Sequence, residues 1–178
     1  MHRRQLIALI AALPLGAGAW PALAQGSFRF ASIDGGHYDM ADWRGRPVLV
    51  VNTASLCAYT GQYDELQALH EHYGPRGLVV LAVPSDDFRQ ELASDDAVAE
   101  FCELNFDLTL PMTTITPVRG PDAHPFYRWL AESHGFAPTW NFNKVLLDGA
   151  GRVVGTFGSN ARPTGPRMRA AIEARLGA

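Results

Sequence analysis

The sequence predicts an α/β domain with a mixed β-sheet and helices on both faces. Three observations carry the prediction. Val48-Leu49-Val50-Val51 and Leu78-Val79-Val80-Leu81-Ala82-Val83 are unbroken apolar runs rich in β-branched residues, the pattern of strands covered on both faces. Between them Tyr63, Leu66, Leu69, His70 and Tyr73 recur three or four apart, so strand, helix and strand make a right-handed βαβ unit with parallel strands. Further on, Lys144-Val145-Leu146-Leu147-Asp148 and Val153-Val154-Gly155-Thr156-Phe157 flank Gly149-Ala150-Gly151-Arg152. That is an antiparallel hairpin, which makes the sheet mixed.

Taken in order, the chain opens on a targeting segment. His2-Arg3-Arg4 is a basic start, residues 6–15 are an apolar core, and Ala22-Leu23-Ala24 is a small-x-small cleavage site before Gln25. The apolar core is too short for a bilayer, which needs ~20 residues. The expectation is a cleavable signal peptide over residues 1–24 and one domain over residues 25–178, periplasmic or secreted, with no stable membrane insertion after cleavage. Arg3-Arg4 followed by Gln5-Leu6-Ile7 also fits a twin-arginine signal, and an ordinary secretory start fits as well. Removing the segment from 178 residues leaves 154, enough for one domain with a sizeable core.

Phe28, Phe30 and Ile33, then Asp34-Gly35-Gly36, then His37-Tyr38-Asp39-Met40 read as a hairpin, and Arg44-Gly45-Arg46-Pro47 as a turn before the central strand. The first helix is expected over residues 60–74, stopped by Gly74-Pro75. The loop over residues 84–90 follows the second strand, beyond whose carboxyl end α/β sheets form sites. The second helix is expected to start at Ser94-Asp95-Asp96, with Ser94 as cap and acids in its first turn. Its expected apolar face is Val98, Phe101 and Leu104-Asn105, with Cys102 in its last turns. Thr113-Thr114-Ile115-Thr116 is expected as a strand and residues 124–133 as a helix. A final helix is expected from Pro163, with Met168, Ala171, Ile172 and Leu176 as its buried stripe.

Cys57 falls where the first strand gives way to the first helix. There the chain turns sharply, backbone N–H groups are free and the helix N-terminus carries partial positive charge. A thiolate gains from both; a buried structural thiol is the other reading of the position.

Composition narrows the function. With 15 Lys and Arg against 18 Asp and Glu the net charge is −3, and −5 once the two arginines of the leader are removed. No basic run remains, which argues against nucleic acid or anionic lipid as partner. Cys57 and Cys102 are 45 residues apart, and a structural bridge between them is one reading in an exported chain. Cys57-Ala58-Tyr59-Thr60 is not C-x-x-C, which argues against isomerase-type dithiol chemistry and the commonest zinc geometry. The six His residues are scattered, and His70 and His72 do not share a helix face. No metal and no cofactor is expected.

Asn52-Thr53-Ala54-Ser55-Leu56-Cys57-Ala58-Tyr59-Thr60-Gly61-Gln62-Tyr63 resembles the signature of the glutathione peroxidase family, a branch of the thioredoxin fold. Val83-Pro84-Ser85-Asp86-Asp87-Phe88-Arg89-Gln90-Glu91 resembles its second motif, and Trp140-Asn141-Phe142-Asn143-Lys144 its Trp-Asn motif. The likeness runs over about residues 28–176, in the family's order. It implies a thioredoxin-like three-layer sandwich and a cysteine peroxidase that reduces hydrogen peroxide and organic hydroperoxides to water and alcohols with thiols. It makes Cys57 the nucleophile and gives Gln90, Trp140 and Asn141 the other three places of the family's tetrad. The thiolate attacks one peroxide oxygen and becomes sulfenic acid while the other oxygen leaves. The two amides and the indole N–H can donate hydrogen bonds without ionising.

Phe101-Cys102-Glu103-Leu104-Asn105-Phe106 resembles the place where two-cysteine members carry the resolving cysteine. On that likeness Cys102 condenses with oxidised Cys57, and a thioredoxin-like dithiol protein reduces the disulfide. Residues 85–106 would then have to move or unfold locally. Glutathione is the other candidate reductant, although no arginine cluster for it is evident. The short segment between Ser133 and Trp140 lacks the family's oligomerisation insertion, so a monomer or dimer is expected. Where the family has Cys-Asn-Gln this chain has Ser85-Asp86-Asp87, which adds negative charge near the site. Phe88, Trp140 and Phe142 read as an open apolar surface for organic hydroperoxides. Two further readings stand: a thiol redox sensor or relay of the same fold, and a non-enzymatic domain with a structural Cys57–Cys102 disulfide.

Overall fold

The computed structural model describes residues 28–177; the expected signal peptide lies outside them. β1 (Arg29–Ala31) and β2 (His37–Asp39) form the antiparallel hairpin, with Phe30 opposite Tyr38. Its turn needs Gly35 and Gly36, which take φ of +92° and +74°, values open to glycine without steric cost. β3 (Val48–Thr53), α1 (Gln62–Tyr73) and β4 (Val79–Pro84) are the expected βαβ unit. α2 (Asp95–Phe106) and α3 (Pro125–His134) follow, then the hairpin of β5 (Lys144–Leu147) and β6 (Val153–Phe157), then α4 (Pro166–Glu173).

The four-stranded sheet runs β4-β3-β5-β6. β3 is parallel to β4 and antiparallel to β5, and β5 is antiparallel to β6. Every residue of β3 and β4 is buried, because their side chains alternate between two cores. Leu49 and Val51 join Leu66 and Leu69 of α1, Val98 of α2 and Ile172 of α4. Val48 and Val50 join Phe126 and Leu130 of α3, with Phe28 and Phe30 from the hairpin. The result is three layers, with the central strand ending under the Cys57 turn.

Four expectations change. Thr113-Thr114-Ile115-Thr116 is no strand: it makes one isolated bridge, Thr113 to Ser32, and Met112 just before it makes another, to Ala82. Its N–H groups go to different partners, Thr113 to Ala82 O, Thr114 to Ala31 O, Ile115 to the Asp95 carboxylate and Thr116 to Pro84 O. Pro111 and Pro117 flank it without a donor of their own. Leu104 is 74 % exposed, because the buried face of α2 runs through Val98, Cys102 and Phe106, four apart. α4 starts at Pro166 after the Gly165 cap. Thr164 is instead held in a turn by Glu65, which accepts from its N–H at 3.0 Å and its hydroxyl at 2.6 Å. Phe142 is fully buried, edge-on to Tyr63 at 5.4 Å, and is no part of an open surface.

Candidate active site

Three loops at the carboxyl ends of β3 and β4 and before β5 build the site. In the first, Thr60 shapes the turn: the Cys57 N–H donates to Thr60 Oγ1 at 3.1 Å, and the Thr60 hydroxyl donates to the Cys57 carbonyl at 2.6 Å. Cys57 is 9 % exposed and Leu56 beside it 60 %. The thiol therefore lies just under the surface.

The second loop lies against the first. The Leu56 N–H donates to the Gln90 carbonyl at 2.9 Å. Glu91, itself buried, accepts from the Ser55 N–H at 3.0 Å and from the Leu92 N–H at 2.9 Å, both on Oε1. Asp86 accepts from the Glu91 N–H, and Asp87 from the N–H groups of Val118 and Arg119. The two acids expected to face the site thus each hold backbone. Arg89 takes φ of +56°, a left-handed conformation that non-glycine residues seldom adopt.

The third loop is clamped by Asn52, the last but one residue of β3. Its Nδ2 donates to the Trp140 carbonyl at 3.0 Å, its Oδ1 accepts from the Asn143 N–H at 3.1 Å, and its carbonyl accepts from the Phe142 N–H at 2.6 Å. Phe142 is held at φ of +58°. The Ser159 hydroxyl donates to the Asn141 carbonyl, and Lys144 Nζ to the Phe142 carbonyl at 2.8 Å. The loops then meet: Asn141 Nδ2 donates to Gln90 Oε1 at 3.0 Å. Gln90 is joined through its side chain to Asn141 and through its carbonyl to the residue before Cys57. Trp140 is 41 % exposed and leans on Phe88, with ring centroids 5.3 Å apart. Among the described residues neither the Cys57 thiol nor the Trp140 indole N–H has a hydrogen bond partner.

Residues 26–131 match the family model for glutathione peroxidase. The chain belongs to the glutathione peroxidase family. It is 39 % identical over 147 residues to a hydroperoxy fatty acid reductase, gpx1, of Synechocystis, covering 76 % of this chain and 87 % of that one. To the glutathione peroxidase-like peroxiredoxin GPX5 of Chlamydomonas reinhardtii it is 39 % identical over 137 residues, covering 74 % and 85 %. The crystal structure of Trgpx in apo form superposes with a TM-score of 0.67 at 28 % identity, over 86 % of this chain and 95 % of that one. The fold is the thioredoxin-like sandwich. With the family goes its activity: the chain is a thiol-dependent peroxidase.

In this peroxidase Cys102 is buried on the inner face of α2, in the same core cluster as Cys57. Both cysteines are free thiols. Burial pushes the Cys102 thiol up to about 11, with the Tyr63 hydroxyl beside it and the charge of Glu91 nearby. A pocket of about 280 Å³, lined in part by Ile33, Ala99, Cys102, Leu110 and Met112, opens next to it. No three His, Cys, Asp or Glu side chains converge as metal ligands among the described residues.

Sequence reasoning missed Asn52, Glu91, Lys144 and Ser159. The first three stand inside the quoted motifs, and a polar residue closing an apolar run is a signal that its side chain holds backbone. Nothing in the sequence points to Ser159.

Proposed function

We propose that this peroxidase works through two cysteines, with Cys57 as the peroxidatic residue and Cys102 as the resolving one. What supports the first half is the hydrogen bond from Asn141 to Gln90, whose carbonyl in turn accepts from the Leu56 N–H beside Cys57. It brings together three motifs that are far apart in the sequence. The Cys57 thiolate attacks a peroxide oxygen, the S–O bond forms and the O–O bond breaks, and the leaving oxygen takes a proton and departs as water or alcohol. The Gln90 amide N–H groups and the Trp140 indole N–H donate to the oxygen on which charge develops. The exposed Leu56 and Trp140 and the adjacent Phe88 give an apolar approach suited to organic hydroperoxides.

In the second half the Cys102 sulfur attacks the sulfenic sulfur. The S–S bond forms, the S–O bond breaks, and hydroxide leaves with the proton of Cys102 as water. A thiol held up to about 11 by burial is a poor nucleophile where it stands. Because α2 buries Cys102 on its inner face, on this reading α2 opens before the bond forms, which also brings the disulfide to a reductant. A thioredoxin-like dithiol protein fits that exposed disulfide, with glutathione as the alternative. The N-terminal pattern supports action in the periplasm or outside the cell, and the short segment between Ser133 and Trp140 supports a monomer or dimer.

The test is peptide mapping by mass spectrometry after one equivalent of peroxide. The expected products are a Cys57–Cys102 disulfide in the parent and a dimedone-labelled Cys57 in Cys102→Ser. A parent in which Cys57 stays reduced overturns the first half. A parent in which Cys57 is oxidised but never joined to Cys102 overturns the second.

A further inference from the structure

We propose that Glu91 is a positioning residue of the peroxidase, whose buried carboxylate locks the Gln90 loop to the Cys57 turn. The inference rests on Cys57 as nucleophile and Gln90 as its donor. Its ground is the set of bonds around one side chain. Glu91 Oε1 takes the Ser55 N–H from the first loop and the Leu92 N–H from the second. Between those two contacts lies the Leu56 N–H bond to the Gln90 carbonyl. The carboxylate and the carbonyl together fix two successive N–H groups, Ser55 and Leu56, immediately before Cys57. The Glu91 N–H is in turn fixed by Asp86 at 3.1 Å.

The residue is costly to keep. Glu91 is buried, its Oε2 has no partner among the described residues, and burial raises its carboxyl above the usual range. The titratable groups that face it are Asp86 on its own loop, Tyr63 on α1 and Cys102 on α2. All of these are acids, and none offers a compensating positive charge. A buried carboxylate without a cation weakens a fold unless its hydrogen bonds compensate. Here they go to the two active-site loops, which links the cost to the geometry of the site.

The experiment measures the second-order rate of Cys57 oxidation by hydrogen peroxide, followed by intrinsic fluorescence, in the parent, Glu91→Gln, Glu91→Asp, Glu91→Ala, Gln90→Ala and Glu91→Ala/Gln90→Ala. Circular dichroism first checks that each is folded. Glu91→Gln keeps an acceptor at the same reach and is expected within about 3-fold of the parent. Glu91→Asp withdraws the acceptor by one methylene, Glu91→Ala removes it, and each is expected to slow oxidation about 10- to 100-fold. Because Glu91 acts through Gln90, the double variant is expected to be no slower than the slower single variant by more than about 2-fold. A purely structural Glu91 would give losses that multiply. Multiplying losses, a Glu91→Asp or Glu91→Ala rate equal to the parent, or a Gln90→Ala rate equal to the parent each overturn the proposal. If Glu91→Ala does not fold, Glu91→Asp and its double with Gln90→Ala decide in its place. A parent whose Cys57 peroxide does not oxidise brings down the two-cysteine reading itself, and that outcome is distinct from these.

Discussion

Replacing Lys144 by methionine should remove a pH dependence of stability that the buried ammonium creates. Lys144 opens β5 opposite Val51, fully buried. Its Nζ donates to the Phe142 carbonyl at 2.8 Å and to the Gln62 amide oxygen at 2.5 Å. Burial pushes the ammonium from 10.5 down to about 8, with the Glu65 carboxylate working weakly the other way. A base with a lower folded than unfolded pKa holds fewer protons when folded, so stability rises with pH across the interval between the two values. At ~1.36 kcal/mol per pKa unit the whole interval is worth about 3 kcal/mol. The part gained between about pH 7.5 and 9.5 is about 2 kcal/mol. Urea unfolding of the parent and Lys144→Met at those two pH values measures it. Cys102, with its thiol pushed up to about 11, titrates in the opposite sense in both proteins and cancels in the difference. The parent should gain about 2 kcal/mol on the variant as pH rises. Curves that stay parallel to within about 0.5 kcal/mol would show that the ammonium is not held in a low-dielectric site, and would refute the reasoning.

Two further outcomes follow from the loops. Asn52→Ala removes both side-chain bonds to the Trp140–Asn143 turn and should cost about 2–4 kcal/mol in urea unfolding while slowing Cys57 oxidation; an unchanged oxidation rate in the folded variant would show that the clamp does not set the site. Ser94→Ala removes the cap of α2, whose hydroxyl accepts from the Ala97 N–H at 3.2 Å. It should cost about 1 kcal/mol and speed alkylation of Cys102 by iodoacetamide about 5-fold if capping limits the opening of α2; alkylation at the parent rate would contradict that.

The parts of the fold that were legible are those where one residue pattern has one meaning. β3 and β4 are apolar on both faces because both faces are covered, and α1 keeps its period because one side packs on the sheet. Thr113-Thr114-Ile115-Thr116 misled because β-branched residues favour extended backbone whether or not a neighbouring strand exists. Leu104 misled because its apolar character outweighed its phase on α2. For the site, Cys57 could be argued from its place between strand and helix. Gln90, Trp140 and Asn141 could not, since Gln90 and Asn141 lie 51 residues apart and only the family likeness joined them. The burial of Phe142 was hidden because its φ of +58° depends on Asn52 and Lys144, which pull on the same turn from two other elements.

The most direct test of the whole account is peroxide consumption by the purified protein, with a thioredoxin system and with glutathione as reductants, for the parent, Cys57→Ser and Cys102→Ser. Cys57→Ser should abolish turnover with either reductant, and Cys102→Ser should abolish the thioredoxin-driven part. A parent that consumes peroxide no faster than Cys57→Ser with any thiol would contradict the account.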